Sequence, residues 1–339
     1  MINKKTQIIA EIAQGFEGNP TYSNLFVRAA ASAGADAVKF QLVYADELAT
    51  PDYKYYELFK SLEMDDEVWE NLSNLAIENN IALHLDIFGE KSLHLAEKIG
   101  AVAIKIHGTD ISNKRLLNLV AESNIDHVIL GAGGALQSEI LTALGILKRK
   151  YVILLFGFQS YPTANSDNQI KRIPFALKTF SKVHSNLKVG FADHANPETN
   201  IHLGLGAIAI GLGAEVLEKH LTLSKSIKME DHESALNPDE FLEYVEFIHE
   251  CTTAIGSVSL DNDFGMSESE LGYRKMIRRH VVSIGSISKG EIITANNLAL
   301  KRTSSEEAST SLSDVEGKIA RLSIAKNSPI EMNKLNYEN

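Results

Sequence analysis

Short β-branched runs of four to six residues alternate with longer stretches of helical periodicity over the first 250 residues. The runs that read as strands are Ile8–Ile12, Ala37–Gln41, Ala82–Ile87, Val102–Ile106, His127–Leu130, Val152–Phe156, Leu187–Phe191 and Ala214–Leu217. Helical patterns fall near 22–34, 66–79, 90–99, 113–123, 136–148, 168–184 and 198–212. One more, at 238–254, opens on Asn237-Pro238-Asp239-Glu240, with the proline and acids that a first helical turn favours. Strand–helix alternation predicts a parallel sheet. Eight such units in series have the size of a closed (β/α)8 TIM barrel. An open doubly wound sheet is the alternative.

After Cys251 the pattern changes. Residues 255–275 are polar and glycine-containing, as a linker is. From 276 the segments are short and β-rich, with turns at Lys289-Gly290-Glu291 and Ala325-Lys326-Asn327. The organisation expected is therefore a barrel over 1–254, a linker over 255–275 and a small β-rich domain over 276–339. About sixty residues make a marginal independent core, so that module is expected to pack on something.

The composition is that of a globular protein, 44% hydrophobic and 23% charged. A net charge of −11 argues against nucleic acid as the main partner, because phosphate-backbone binding needs a basic face. An anionic small molecule remains compatible, since a few lysines in a pocket outweigh a distant acidic surface. The single cysteine excludes an intramolecular disulfide and fits a reducing compartment. No apolar run has the length of a signal peptide or membrane span, so a cytoplasmic protein is expected.

In a barrel of this kind the chemistry sits at the C-terminal ends of the strands. Several polar residues fall there in i, i+2 pairs that share one face: Lys39 with Gln41, Lys105 with His107, Glu218 with His220. Glu11 ends the first strand. His194 and His220 stand at matching points of consecutive units, Phe191-Ala192-Asp193-His194 and Leu217-Glu218-Lys219-His220. Two neutral imidazoles at one mouth suit a divalent ion such as Mn2+ or Zn2+, and leave positions open for water and substrate. Lys39 lies between Val38 and Phe40 in a strand buried on both faces, where an unpaired ammonium is costly and an anionic ligand offsets the cost. Gly131-Ala132-Gly133-Gly134 is either a tight turn or a cradle of backbone amides for an anion.

Together these residues resemble the sialic acid synthase family over nearly the whole chain. The matching stretches are Ala10-Glu11-Ile12, Gly34-Ala35-Asp36-Ala37-Val38-Lys39-Phe40-Gln41 and Tyr161-Pro162-Thr163. Gly190-Phe191-Ala192-Asp193-His194 is similar to the family's GYSDH, Glu218-Lys219-His220 to its EKH, and Asp231-His232 with Leu236-Asn237-Pro238-Asp239-Glu240 to its DH…LEPDE. The C-terminal module resembles the family's antifreeze-like (SAF) domain, with Lys301-Arg302 at its KRPG stretch.

The resemblance implies condensation of phosphoenolpyruvate with an N-acyl-hexosamine to a sialic-acid-like sugar acid. His194 and His220 would hold the metal, Mn2+ by preference, and Lys39 and Lys105 would neutralise the donor. Glu11 would stand near the donor and Asp231 near the sugar, with Gln41 and Tyr161 among the substrate-binding residues. Arg302 would close the sugar pocket of a partner chain in a domain-swapped homodimer.

Several of the family's donor-side hydroxyls are absent. Its STPF, SG, STGM and the serine of SDH read here as Leu85-Asp86-Ile87-Phe88, Gly108-Thr109, Gly131–Gly134 and Ala192. Asp86 thus brings negative charge to a place expected for an anion, and Thr109, Gln159 and the amides around Gly131 and Gly133 are the available replacements. Two other readings stay open: a metal-dependent aldolase-type enzyme with another donor, and a non-catalytic sugar-binding homologue.

Overall fold

The structure, a computed structural model, describes residues 6–256 and 265–336. The chain divides into two compact units, Ile2–Gly256 and Ser257–Asn339. The first is built on β1 (Gln7–Ala13), β2 (Ala37–Gln41), β3 (Ala82–Ile87), β4 (Ala103–Ile106), β5 (His127–Gly131), β6 (Tyr151–Phe156), β7 (Leu187–Asp193) and β8 (Val216–His220). Each strand pairs in parallel with the next, and β8 returns to β1 from Gln7↔Val216 to Glu11↔His220. That closure excludes the open doubly wound sheet and gives a TIM barrel.

Around it run α1 (Pro20–Ser32), α2 (Ala45–Leu48), α3 (Tyr56–Ser61), α4 (Asp66–Glu78), α5 (Glu90–Lys98), α6 (Lys114–Glu122), α7 (Gln137–Ile146), α8 (Arg172–Phe180), α9 (Gly204–Gly211) and α10 (Pro238–Ile255). Alternation along each strand sorts side chains into two shells. In β1, Ile8, Ala10 and Ile12 face the helices, while Ile9 joins Ala37, Ile129, Ile153, Leu155, Ala192 and Val216 inside the barrel. Phe40, on the outer face of β2, meets Phe16 and Trp69 edge-on at 5.9 and 6.3 Å between centroids. This aromatic trio fixes the strand that carries Lys39.

Some boundaries differ from expectation. Helix α8 starts at Arg172 rather than 168, because the Asn168 amide closes a turn onto the carbonyls of Ala164 and Asn165. Helix α9 starts at Gly204 rather than 198. Strand β8 runs to His220 instead of ending at Leu217, so Glu218 and Lys219 are strand residues on opposite faces. Helices α2 and α3 fall in a segment whose polarity gave no helical signal.

In the second unit, α11 (Glu268–Ile277) occupies part of the stretch expected as linker; its Ser267 hydroxyl accepts from the amide of Glu270. Residues 257–264 of that stretch lie outside the described residues. The antiparallel pairs β9 (His280–Ser283) with β10 (Leu298–Lys301), and β11 (Ile319–Ala320) with β12 (Leu335–Asn336), enclose a core of Val281, Ile287, Ile293, Leu298, Val315, Ala320, Ile324, Ile330 and Leu335. Both expected turns are present, with Gly290 and Asn327 at positive φ. Among the described residues no helix is long and apolar enough to cross a membrane.

Candidate active site

The upper half of the barrel interior is charged. Lys39 is fully buried and donates to Glu11 Oε2 and to Asp86 Oδ1 at 2.7 Å, with Glu218 Oε2 at 3.4 Å. Lys105 lies 3.0 Å from Glu218 Oε1, and 3.5 Å from both Glu11 Oε2 and Asp86 Oδ2. Five charges from five strands thus form one cluster: three carboxylates and two ammoniums, one net negative. Burial works against the Lys105 ammonium, but Asp86, Glu218 and Glu11 outweigh it and hold the group well above the usual lysine range. The acid side is under-satisfied, since Asp86 Oδ2 and Glu218 Oε2 are buried and meet an ammonium at ion-pair range without a formed hydrogen bond. One layer below, inside the barrel, His84 is buried with its Nδ1 unpartnered. Burial, then the Lys39 charge, pushes it down to about 3, so it is a neutral imidazole.

Beside this cluster the rings of His194 and His220 stand 5.2 Å apart, each with Tyr161 edge-on at 5.2 and 5.5 Å. Their spacing is fixed from behind. Asp193 and Lys219, register partners on β7 and β8, form a fully buried ion pair at 3.2 Å on the outer face of the two strands. The His194 carbonyl accepts from Thr163 N at 2.8 Å and Ser234 Oγ at 2.7 Å, and the His220 carbonyl accepts from Leu236 N at 2.9 Å. Burial pushes both imidazoles down, His194 well below its usual value with His220 adding to the effect, and His220 to about 3.

The donor set fits a divalent ion: two adjacent neutral imidazoles, with His194 Nδ1 buried and unpartnered. Among the described residues no group of three or more His, Cys, Asp or Glu side chains is arranged to hold a metal, so substrate and water would supply the other positions. Asp231 approaches His220 Nδ1 at 3.8 Å from a left-handed backbone position. Burial, then the charges of Glu230, Glu11 and Glu233, pushes its carboxyl up to about 7.

A narrow cleft at the strand ends is lined by Lys105, Gly131, Gly133, Gln159, His194 and Glu218, among others. Gln159 Nε2 lies 2.8 Å from His107 Nε2, and Thr109 Oγ1 lies 3.0 Å from His107 Nδ1, so both replacements meet at His107. Gln41 instead accepts from Gln14 at 2.8 Å. Gly131 ends β5; of the amides that follow, that of Ala132 is bound to Leu155 O, and that of Leu136, just before α7, is taken by Glu139.

The glycines serve close approach. A Cβ on Gly133 would meet Gly157 O at 2.3 Å, and one on Gly157 would meet Ala192 O at 2.5 Å. Gly133→Ala is expected to lower stability by about 1–3 kcal/mol through overpacking, read by thermal melting; an unchanged melt would show that the strand ends are slack. Arg302 is exposed immediately after β10, in the second unit. Sequence reasoning paired Glu218 with His220 at the mouth but gave it no role, and it missed His84, which alternation from Asp86 places on the inner face.

A closed barrel that gathers two lysines, three carboxylates and two imidazoles at one mouth has the make-up of a TIM-barrel enzyme. The chain belongs to the NeuB family, whose model matches residues 26–259, and a SAF domain matches residues 278–336. It is thus a sialic acid synthase-like enzyme. It is 30% identical over 336 residues to the N,N'-diacetyllegionaminic acid synthase of Campylobacter jejuni, covering 94% of this chain and 96% of that one. The N,N'-diacetyllegionaminic acid synthase of Legionella pneumophila is 29% identical over 338 residues, 94% of this chain and 90% of its own. Among solved structures, the N-acetylneuraminic acid (sialic acid) synthetase of Leptospira borgpetersenii aligns with a TM-score of 0.72 at 28% identity, over 81% of this chain and 93% of that one.

Proposed function

We propose that this enzyme condenses phosphoenolpyruvate with the open-chain aldehyde of an N-acyl-hexosamine, giving a nonulosonic acid. The observation that carries the reading is the placement of Lys39 and Lys105 within one buried cluster beside two neutral imidazoles. Enzymes of this family are generally metal-dependent. A divalent ion held by His194 and His220, Mn2+ in this reading, would supply Lewis-acid polarisation of the aldehyde oxygen.

The residues of the chain do the rest. Lys39 and Lys105 bind the donor's anionic groups and hold its methylene carbon toward the aldehyde. As the new C–C bond forms, the aldehyde oxygen takes a proton from Asp231, which stands 3.8 Å from His220. Water then adds to the oxocarbenium carbon, losing its proton to Glu11. The tetrahedral centre then collapses: its hydroxyl becomes the carbonyl, the C–O bond to phosphate breaks, and the hydroxyl proton leaves with the phosphate, giving the 2-oxo acid.

A phosphate-release assay with Mn2+, phosphoenolpyruvate and a panel of N-acyl-hexosamines is expected to give turnover with at least one acceptor. No release with any acceptor, and no calorimetric binding of phosphoenolpyruvate, would remove this reading.

A swapped homodimer belongs to the same proposal, with Arg302 reaching the partner's sugar pocket, as does a cytoplasmic location suited to the lone free Cys251. Light scattering should find a dimer, and an active monomer would contradict the swap.

A further inference from the structure

We propose that Asp86 is a resident anion on the lysine pair, which an incoming donor must neutralise by carrying in a proton. This rests on phosphoenolpyruvate as donor and adds a charge gate to it.

Three observations support the gate. Asp86 touches both ammoniums, Lys39 at 2.7 Å and Lys105 at 3.5 Å, so it stands where an anionic group of the donor would have to be held. The cluster is already one net negative, three carboxylates against two ammoniums. Asp86 Oδ2 and Glu218 Oε2 make no hydrogen bond and meet ammoniums only at ion-pair range, Lys105 at 3.5 Å and Lys39 at 3.4 Å, so the buried acids are weakly satisfied before any ligand enters. Adding a multiply charged phosphate ester to that set without compensation places like charges together in a medium of low dielectric. A proton on Asp86 removes one charge and turns an orphaned acceptor into a donor.

The ionisable groups around it are Glu11 from β1, Lys39 from β2, Lys105 from β4 with His107 beyond it, Glu218 from β8, and His84 two residues away on β3 itself. His84 is held neutral by its burial and by the neighbouring Lys39, so it supplies no charge to offset the acids. Glu11 and Glu218 share the same two lysines, which is why the variant below is needed to assign the proton.

The consequence is proton-linked binding. Isothermal titration of phosphoenolpyruvate into the full-length protein, in two buffers of different ionisation enthalpy, should show uptake of about one proton. Affinity should weaken by up to about tenfold per pH unit above about pH 7, where the donor's own phosphate no longer carries the proton. Asp86→Asn, nearly isosteric, should bind at least about tenfold tighter at pH 8 and lose the uptake. Asp86→Thr serves as a second variant, and a thermal melt checks that each folds. Equal affinity and equal proton uptake in wild type and both variants would overturn the role of Asp86 and leave the donor intact. No binding to the wild type or to either variant would remove phosphoenolpyruvate as donor, and the gate with it.

Discussion

Lys39→Met is expected to destabilise the barrel by about 3–5 kcal/mol, the cost of removing one partner from a buried ion set. Of the cluster's two ammoniums, Lys39 is the one within 3.4 Å of all three carboxylates, and it has no exposed surface. Its loss leaves Glu11, Asp86 and Glu218 to Lys105 alone. For a unit of this size the melting temperature should fall by roughly 6–20 °C. The double variant Lys39→Met with Asp86→Asn should recover part of the loss, because the two residues share one cluster and are not additive.

The pH dependence has a defined sign. An orphaned buried carboxylate has its folded-state pKa raised, so the folded variant holds protons that the unfolded chain releases, and it loses stability as pH rises. The gap to wild type should therefore narrow on acidification from pH 7 toward pH 5. A loss under about 1 kcal/mol, independent of pH, would mean that water reaches the cluster and that its charges are screened.

His194→Ala is expected to abolish metal retention and lower kcat/KM by on the order of 10³-fold, with little change in melting temperature. Three features lead there. The ring packs against His220 and Tyr161, its Nδ1 is buried without a hydrogen-bond partner, and the hydrogen bonds from Thr163 and Ser234 go to its carbonyl rather than its side chain. Removing an orphaned polar atom relieves a desolvation cost that partly offsets the lost packing. A structural histidine would give the opposite pattern: a lower melting temperature with metal content and kcat/KM per folded molecule unchanged. Elemental analysis of the dialysed protein, with a melt on the same sample, separates the two.

The eight strands were legible because each is a short, largely apolar run between helical stretches, and eight such units in series have the size of a closed barrel. The charged cluster was only half legible. Lys39, Lys105 and Glu11 could be named as strand-end charges, but Lys105 meets Glu11 and Glu218 from positions 94 and 113 residues away, pairings that closure of the barrel creates. Local polarity also misled at β8, where Glu218 and Lys219 look like the end of a strand. In fact one faces the cluster and the other pairs with Asp193 behind the sheet. Helix α11 carried a readable signal, Ser267 three residues before Glu270, which the polarity of the surrounding stretch obscured. His84 shares its strand face with Asp86 two residues on, but a histidine inside a short apolar run carries no local sign of a role in the cluster.

The central claim is that this barrel joins a three-carbon donor to a sugar aldehyde at the mouth formed by His194, His220, Lys39 and Lys105. The most direct test is carbon-13 NMR of a reaction containing Mn2+, phosphoenolpyruvate labelled at its methylene carbon, and the panel of N-acyl-hexosamines. The label should move from a vinyl position to a ring CH2 bonded to a new carbinol carbon, with one phosphate released per bond formed, and chelator should stop it. A label that stays in phosphoenolpyruvate with every acceptor, in protein shown to hold the metal, would contradict the account.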